Sequence, residues 1–331
     1  MKKDISEDLG KSGRGALKSF FVKLASIREL TVFAVVLALG FGIALFSPYF
    51  LRLNNIMSIV RTLSTTTIMA IGMTMVIITG GIDLSVGSVL GLAGMFTAMS
   101  FSHNYPPILC VMLGLSAGLV CGFINGLLIT AVNLPPFIAT LGTMSICRGL
   151  IYVITRGNPL TPALADGYKF IGQGYIGVVP MPVVIMLILV VAFQFCMKQT
   201  RFGRYVYALG GNEQASRLSG VKTKRVKLQV YTIAGFLSAI AGVILYARMT
   251  SAEAAAGLGE EMNVIAATVI GGASMSGGSG SVIGALIGAV LIGVIKNGMV
   301  LLNINSYAQQ AVTGIVILLA VGIDMFRQKK D

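Results

Sequence analysis

Ten apolar segments, each close to the length of a membrane-crossing helix, follow one another along the 331 residues of this chain. A spanning helix needs roughly 20 mainly apolar residues. The segments are 30–50, 56–79, 84–101, 107–131, 137–155, 181–197, 229–250, 262–279, 281–302 and 307–326. Only 11% of the residues are charged, whereas a soluble domain carries about 25%. We therefore predict an all-α polytopic membrane protein with about ten transmembrane helices.

The formal net charge of +13 is concentrated in three segments. Seven basic residues lie in the first 28 positions, eight in 198–227 and three in 327–330. Because Lys and Arg accumulate in cytoplasmic loops, and ten crossings place these segments on one side, we predict that both termini are cytoplasmic. Nucleic-acid binding is not expected, since no basic face with base-stacking aromatic residues is present. The predicted layout is a basic tail 1–28, a transmembrane domain 29–326 with a cytoplasmic loop 198–228 and an external loop 156–180, and a tail 327–331.

The motifs of nucleotide-binding and catalytic sites are missing from the sequence. A GKS tripeptide at 10–12 lacks the upstream glycine of a phosphate-binding loop, since position 5 is Ile5. The run GGASMSGGSGS at 271–281 lacks a lysine, and the single histidine, His103, leaves little for a metal site. We expect no enzyme activity, no metal and no cofactor in this chain, so that any ATP would bind to another subunit.

The stretch ITGGIDLSVGS at 78–88 separates two apolar segments and carries the only carboxylate between Glu29 and Asp166. Paired glycines are poor helix residues, so we predict a helix break near the cytoplasmic face. Three roles stay open for the acid: a cap of the next helix, a salt bridge to a neighbouring loop or subunit, or direct solute contact. The predicted gate or helix-break residues are Gly80, Gly81, Asp83, Ser85 and Gly87.

The two long predicted loops differ in character. In the cytoplasmic one, Asn212 is suited to cap a short helix, EQASRL, which ends at Gly220. That helix either anchors at the lipid surface or seats in a groove of a cytoplasmic partner. The external one, rich in Gly and Pro, is either a plain surface loop or a docking or gating surface.

Polar residues inside apolar spans are costly and therefore informative. The candidates for the pathway of a transported solute are Asn125, Thr140, Thr143, Arg148 and Asn297, with Lys296 as a further ionisable group. The apolar spans contain no pair of acids and no row of ionisable groups, which argues against a proton-coupled carrier. A pathway of Ser, Thr, Asn and Gly suits a neutral, hydroxyl-rich solute. The stretches 235–242 and 284–293, rich in small residues, are interpreted as sites of close helix packing.

Four segments resemble one known family. GGIDLSVGSVLGLAG (80–94), LPPFIATLGTMSICRGL (134–150), GRYVYALGGNEQASRLSGV (203–221) and the stretch 265–302 are similar to permease subunits of bacterial ABC sugar importers of the ribose, galactose, arabinose and xylose type. The resemblance implies an inner-membrane permease for a monosaccharide or related polyol. It also implies an inverted repeat that relates spans 2–5 to spans 7–10.

The same resemblance implies the partners. They are a cytoplasmic ATP-binding subunit that holds ATP and Mg²⁺, a periplasmic or lipid-anchored sugar-binding protein, and a second permease subunit, identical or paralogous. The residues implied to couple to the ATPase are Gly211, Asn212, Glu213, Ala215, Arg217, Ser219 and Gly220. Two alternatives stay open: an ABC permease for branched-chain amino acids or nucleosides, and an ion-coupled secondary carrier.

Overall fold

The computed structural model describes residues 28–328, which form thirteen α-helices and one short β-hairpin. All of the predicted tail 1–28 except Arg28, and the last three residues of the tail 327–331, lie outside the described residues. The helices are α1 Arg28–Phe46, α2 Leu53–Ile78, α3 Val86–Ser102, α4 Pro107–Thr130, α5 Pro136–Thr155, α6 Asp166–Gln173, α7 Met181–Gln199, α8 Arg201–Gly211, α9 Glu213–Leu218, α10 Thr223–Met249, α11 Glu260–Ile270, α12 Val282–Leu301 and α13 Ser306–Gln328. The hairpin pairs β1 Tyr175–Ile176 with β2 Val179–Pro180.

Seven of the described helices are long and apolar enough to cross a membrane: α1, α2, α4, α5, α7, α10 and α12. Helix α3 is apolar but has only 17 residues. The prediction of a helical, polytopic membrane protein is confirmed at this level, with the small hairpin as an addition.

The eighth predicted span, 262–279, was wrong as a continuous helix. Helix α11 ends at Ile270 after 11 residues, and a loop follows to Ser281. The reason is the backbone of the glycine-rich run, because Gly272, Gly277 and Gly278 all have positive φ, which a right-handed helix does not allow.

Helices α2 and α10 form the centre of the bundle, and each is buried along most of its length. Helix α10 packs against α3 and α4, and α2 packs against α11 and α12. The interpretation of glycines as close-packing residues is confirmed where α4 crosses α10, because a Cβ at Gly235 would lie 2.7 Å from the Cα of Gly122. The outer helices α1, α4, α5 and α7 carry many exposed apolar side chains.

The predicted external loop 156–180 contains ordered structure. Helix α6 inserts Tyr168 into the bundle, where its hydroxyl donates to the carbonyl of Val243 on α10 at 2.8 Å. This hydrogen bond fastens α6 to the central helix α10.

The segment between α7 and α10 carries the basic cluster, and we call this end of the bundle the basic end. As predicted, the side chain of Asn212 caps α9 by accepting the N–H of Ala215 at 2.9 Å, and Gly220 follows the helix with φ +86°. Sequence reasoning missed α8. The sequence pattern that predicts this helix is the spacing of its apolar residues on one face, where Phe202 is partly buried and Val206 and Leu209 are fully buried.

Candidate functional site

The chain reverses sharply after α2. Gly80 has φ +77°, and a Cβ at Gly81 would overlap the hydroxyl of Tyr231 on α10. Residues 79–85 then run back into the bundle before α3 begins at Val86. The predicted helix break at the paired glycines is confirmed.

Asp83 heads a chain of buried hydrogen bonds within the bundle, where it is 1% exposed. Its Oδ1 accepts from the backbone N–H of Ser85 at 2.8 Å and from the Ser85 hydroxyl at 2.6 Å. The amide of Asn125 donates to the Ser85 hydroxyl oxygen at 2.9 Å, and Thr143 donates to the Asn125 side-chain oxygen at 2.6 Å. The break is thereby joined to α4 and α5 by a continuous chain of side-chain hydrogen bonds.

This geometry revises the predicted cap. Asp83 binds the N–H of a residue that precedes α3 rather than an N–H of its first turn, and Ser85 makes no side-chain cap hydrogen bond. Among residues 28–328, the ion pairs are Lys169–Asp166, Lys227–Glu213 and Lys296–Glu260, so the salt-bridge alternative for Asp83 finds no partner there. The carboxylate shapes the turn ahead of the helix.

The side chains of the other predicted pathway residues also form hydrogen bonds within the protein. Thr140 accepts the N–H of Leu84 at 3.2 Å, which fixes the break against α5. Arg148 donates to the carbonyls of Ala254 and Ala256, both at 2.9 Å, and so holds the loop that precedes α11. Asn297 exchanges hydrogen bonds of 2.9 and 3.0 Å with Asn55, which joins α12 to α2.

A cavity of about 860 Å³ with both polar and apolar walls lies where α11 begins, between α11, α12 and α13. We call it the α11–α13 cavity. Its polar wall includes Glu260, Glu261, Asn263, Lys296, Gln310 and Thr313. None of the five predicted pathway residues lies in this wall, whereas Lys296, noted from the sequence as a further ionisable group, does. Sequence reasoning missed the other polar residues of the cavity.

Glu260 is the centre of the polar groups in the cavity. Its carboxylate lies 3.6 Å from the Lys296 ammonium, and it accepts from the amide of Asn263 at 2.9 Å and from the hydroxyl of Thr66 at 3.2 Å. Glu261 lies beside Gly87 at the start of α3, where an added Cβ would be 2.6 Å from its carboxylate oxygen. Glu260 and Glu261 directly precede the predicted eighth span, 262–279, so the pair of acids lies at the start of α11 and outside the apolar segments that the sequence analysis considered.

The basic end is joined to the helix break by backbone contacts. The N–H of Gly278 donates to the carbonyl of Ile78, the last residue of α2, at 2.9 Å. A Cβ at Gly210 on α8 would overlap that same carbonyl. Tyr207 on α8 donates to the carbonyl of Gly280 at 2.8 Å, and burial raises the pKa of its hydroxyl, which keeps it a donor at neutral pH. Helix α8 is therefore fixed to the end of α2 and to the loop after α11.

Residues 55–321 match the family described as branched-chain amino acid transport system / permease component. The chain belongs to this permease family. It is a multi-pass protein of the bacterial inner membrane, in keeping with its seven apolar helices.

Three similar proteins illustrate the relationship. The ribose import permease protein RbsC of Bacillus subtilis is 44% identical over 85% of this chain and 88% of its own length. RbsC of Escherichia coli K12 is 40% identical, with 94% of this chain and 98% of that protein covered. The D-allose transport system permease protein AlsC of the same strain is 39% identical, with 90% and 91% covered. No solved structure matches the chain.

Proposed function

We propose that this chain is the membrane-spanning subunit of an ATP-driven importer and forms the translocation path for a monosaccharide or a related polyol. The observation that carries the proposal is the α11–α13 cavity. A charge that faces lipid costs at least roughly 2.5–3.5 kcal/mol, so Glu260, Glu261 and Lys296 need water or protein on their open side. Carboxylate and amide groups on that side are suited to bind sugar hydroxyls.

The size of the cavity agrees with this role. Small-molecule sites occupy roughly 300–1,000 Å³, and the cavity has about 860 Å³. Because it opens beside α13 at the edge of the bundle, a second permease subunit, identical or paralogous, would complete its wall. The relatives' names, which specify ribose and D-allose, support a monosaccharide as the cargo.

The same proposal includes the number of membrane segments, the location of the two termini and an inverted repeat. Ten membrane segments, with α3 and α11 as the short ones, place both termini in the cytoplasm and the basic end on the cytoplasmic side. The reciprocal packing of α2 with α11 and α12, and of α10 with α3 and α4, supports an inverted repeat of α2–α5 and α10–α13. Gly87 and Gly257 then meet near its axis, since a Cβ on either would overlap the backbone of the other.

Helix α9 is the proposed contact with the ATPase. Residues 211–215 and 217–220, which include all seven predicted coupling residues, are exposed at the basic end. Glu213 forms an ion pair of 2.6 Å with Lys227, which orients α9 against the start of α10. In this arrangement ATP and Mg²⁺ bind to the cytoplasmic subunit, the permease itself catalyses no reaction, and a periplasmic or lipid-anchored protein delivers the sugar.

The proposed function is tested by uptake into proteoliposomes that contain the complex co-purifying with this chain. We expect ATP-dependent uptake of D-ribose or D-allose in the presence of the sugar-binding protein. Leucine and a nucleoside serve as alternative cargoes, because the family description includes branched-chain amino acids. Uptake of leucine but not sugar, or ion-driven uptake by this chain alone, would contradict the proposal.

A prediction concerns the helix break as a gate element. Asp83→Asn keeps an oxygen that can accept both hydrogen bonds from Ser85 but removes the charge. We expect uptake to fall by less than about threefold, whereas Asp83→Ala loses both bonds, each worth roughly 1–3 kcal/mol, and falls at least about tenfold. Complete loss of uptake in Asp83→Asn, with normal assembly of the complex, would show that the charge itself is required.

A further inference from the structure

A second large cavity opens at the basic end, away from the α11–α13 cavity. We call it the basal groove. It has a volume of about 910 Å³ and lies between α4, α7, α8 and α10. Its wall includes Phe123 on α4, Cys196 on α7, Phe202 on α8, and Lys222, Arg225 and Ile233 at and after the start of α10. None of these residues lies in the proposed transport path, although Gly220 of the proposed ATPase contact also lines the groove.

The apolar side of the groove continues into the outer faces of two spans. Phe123 is 42% exposed on α4, and Phe195, next to Cys196 on α7, is 64% exposed. Both helices are candidate membrane spans. Since such faces contact acyl chains in a bilayer, the groove is open to lipid from the side.

The polar side of the groove lies at one end. Arg225, Gln229 and Ile233 are spaced four residues apart on α10 and share one helix face, so this face changes from basic to apolar away from the basic end. Lys222 lies one turn before Arg225, and both side chains are exposed. Basic residues beside an apolar groove at a membrane surface match the two parts of a phospholipid.

The positive charge at the rim is not neutralised within residues 28–328. Glu213 lines the adjoining cavity with Lys222 and Arg225, but its carboxylate forms its ion pair with Lys227 at 2.6 Å. Neither Lys222 nor Arg225 belongs to an ion pair of the described chain. An anion at the rim therefore meets two cations that have no carboxylate partner there.

We propose that the basal groove binds an anionic phospholipid of the leaflet at the basic end. The phosphate lies at Lys222 and Arg225, and an acyl chain lies along Phe123, Phe202 and Ile233. A lipid of net negative charge is favoured over a zwitterionic one by roughly 1 kcal/mol for each basic residue, which for two residues is about a 30-fold preference.

The test counts lipids bound to the full chain by native mass spectrometry in detergent. Long-chain phosphatidylglycerol is compared with long-chain phosphatidylcholine, short-chain phosphatidylglycerol and inorganic phosphate. We expect long-chain phosphatidylglycerol to bind about 30-fold more tightly than phosphatidylcholine, and short-chain lipid or phosphate to displace it poorly. Equal binding of both long-chain lipids, or full displacement by phosphate, would overturn the proposal.

Two charge-matched variants locate the site. Lys222→Gln with Arg225→Gln removes two charges from the rim, while Lys198→Gln with Lys224→Gln removes two exposed charges of the same end that lie outside the groove. We expect the first variant to bind phosphatidylglycerol no better than phosphatidylcholine, and the second to keep the preference. Equal loss in both variants would indicate general surface charge, and a changed subunit assembly with unchanged lipid binding would indicate a protein partner; either result overturns the proposal.

Discussion

Gly210→Ala is expected to lower ATP-driven sugar uptake by at least about fivefold while the complex still assembles. An added Cβ at this position would overlap the carbonyl of Ile78, so α8 must move away from the end of α2. Overpacking of this kind costs roughly 1–3 kcal/mol, which corresponds to a change of about 5- to 150-fold in a coupled equilibrium. ATP hydrolysis by the partner subunit is expected to continue, because the change lies outside that subunit.

The matched control is Gly142→Ala on α5. Gly142 is also helical, but a Cβ there would meet no atom within 4 Å beyond the neighbouring backbone of its own helix. Both substitutions raise helix propensity by about 1 kcal/mol, so the difference between them reports the backbone contacts of Gly210 with Ile78 and Gly278. Uptake and hydrolysis are measured on the same proteoliposomes. Equal uptake by the two variants would show that α8 does not transmit movement to the helix break.

Lys296→Glu is expected to lower sugar uptake at least tenfold. The substitution places a third carboxylate beside Glu260 and Glu261 in the α11–α13 cavity. Two unit charges about 4 Å apart interact by roughly 4 kcal/mol at an effective dielectric constant of 20, and the new contact is repulsive. Since the side chains of Lys296 and Glu260 are 37% and 30% exposed, water screens part of this energy.

Exchanging the two charges distinguishes loss of the ion pair from damage to the fold as the cause of lower uptake. Glu260→Lys combined with Lys296→Glu restores opposite charges at the same two positions and is expected to recover part of the uptake. Lys296→Arg keeps the charge and is expected to retain most of it. If the exchanged pair is as inactive as Lys296→Glu alone, the pairing of these two residues is not what transport requires.

The helix ends were accessible from the sequence because their signals are local. Gly80 and Gly81 end α2, and Asn212 caps α9 through an N–H three residues later, as predicted. Reasoning from local sequence signals also explains why the eighth span was predicted too long. The apolar run from 262 predicts a long span, whereas the glycine backbone ends α11 at Ile270.

The candidate site was less accessible because it depends on contacts between distant residues. Lys296 was noted as an ionisable group inside a span, but Glu260 lies 36 positions earlier, ahead of the predicted eighth segment. Only the return of the chain into the bundle after α10 brings the two together. Asn125 and Thr143 illustrate the converse, since polar residues inside spans proved to bind one another around Ser85.

Thiol labelling at Thr313→Cys tests most directly whether the α11–α13 cavity is the translocation path. Thr313 lines the cavity, whereas Ile315, two residues later on α13, is 56% exposed and does not. A Cys196→Ala background removes the one cysteine that is not fully buried. We predict that a membrane-impermeant thiol reagent modifies Thr313→Cys, that transported sugar slows the reaction, and that Ile315→Cys resists it. Labelling of Ile315→Cys instead, or labelling of Thr313→Cys unaffected by sugar during ATP-driven transport, would contradict the assignment.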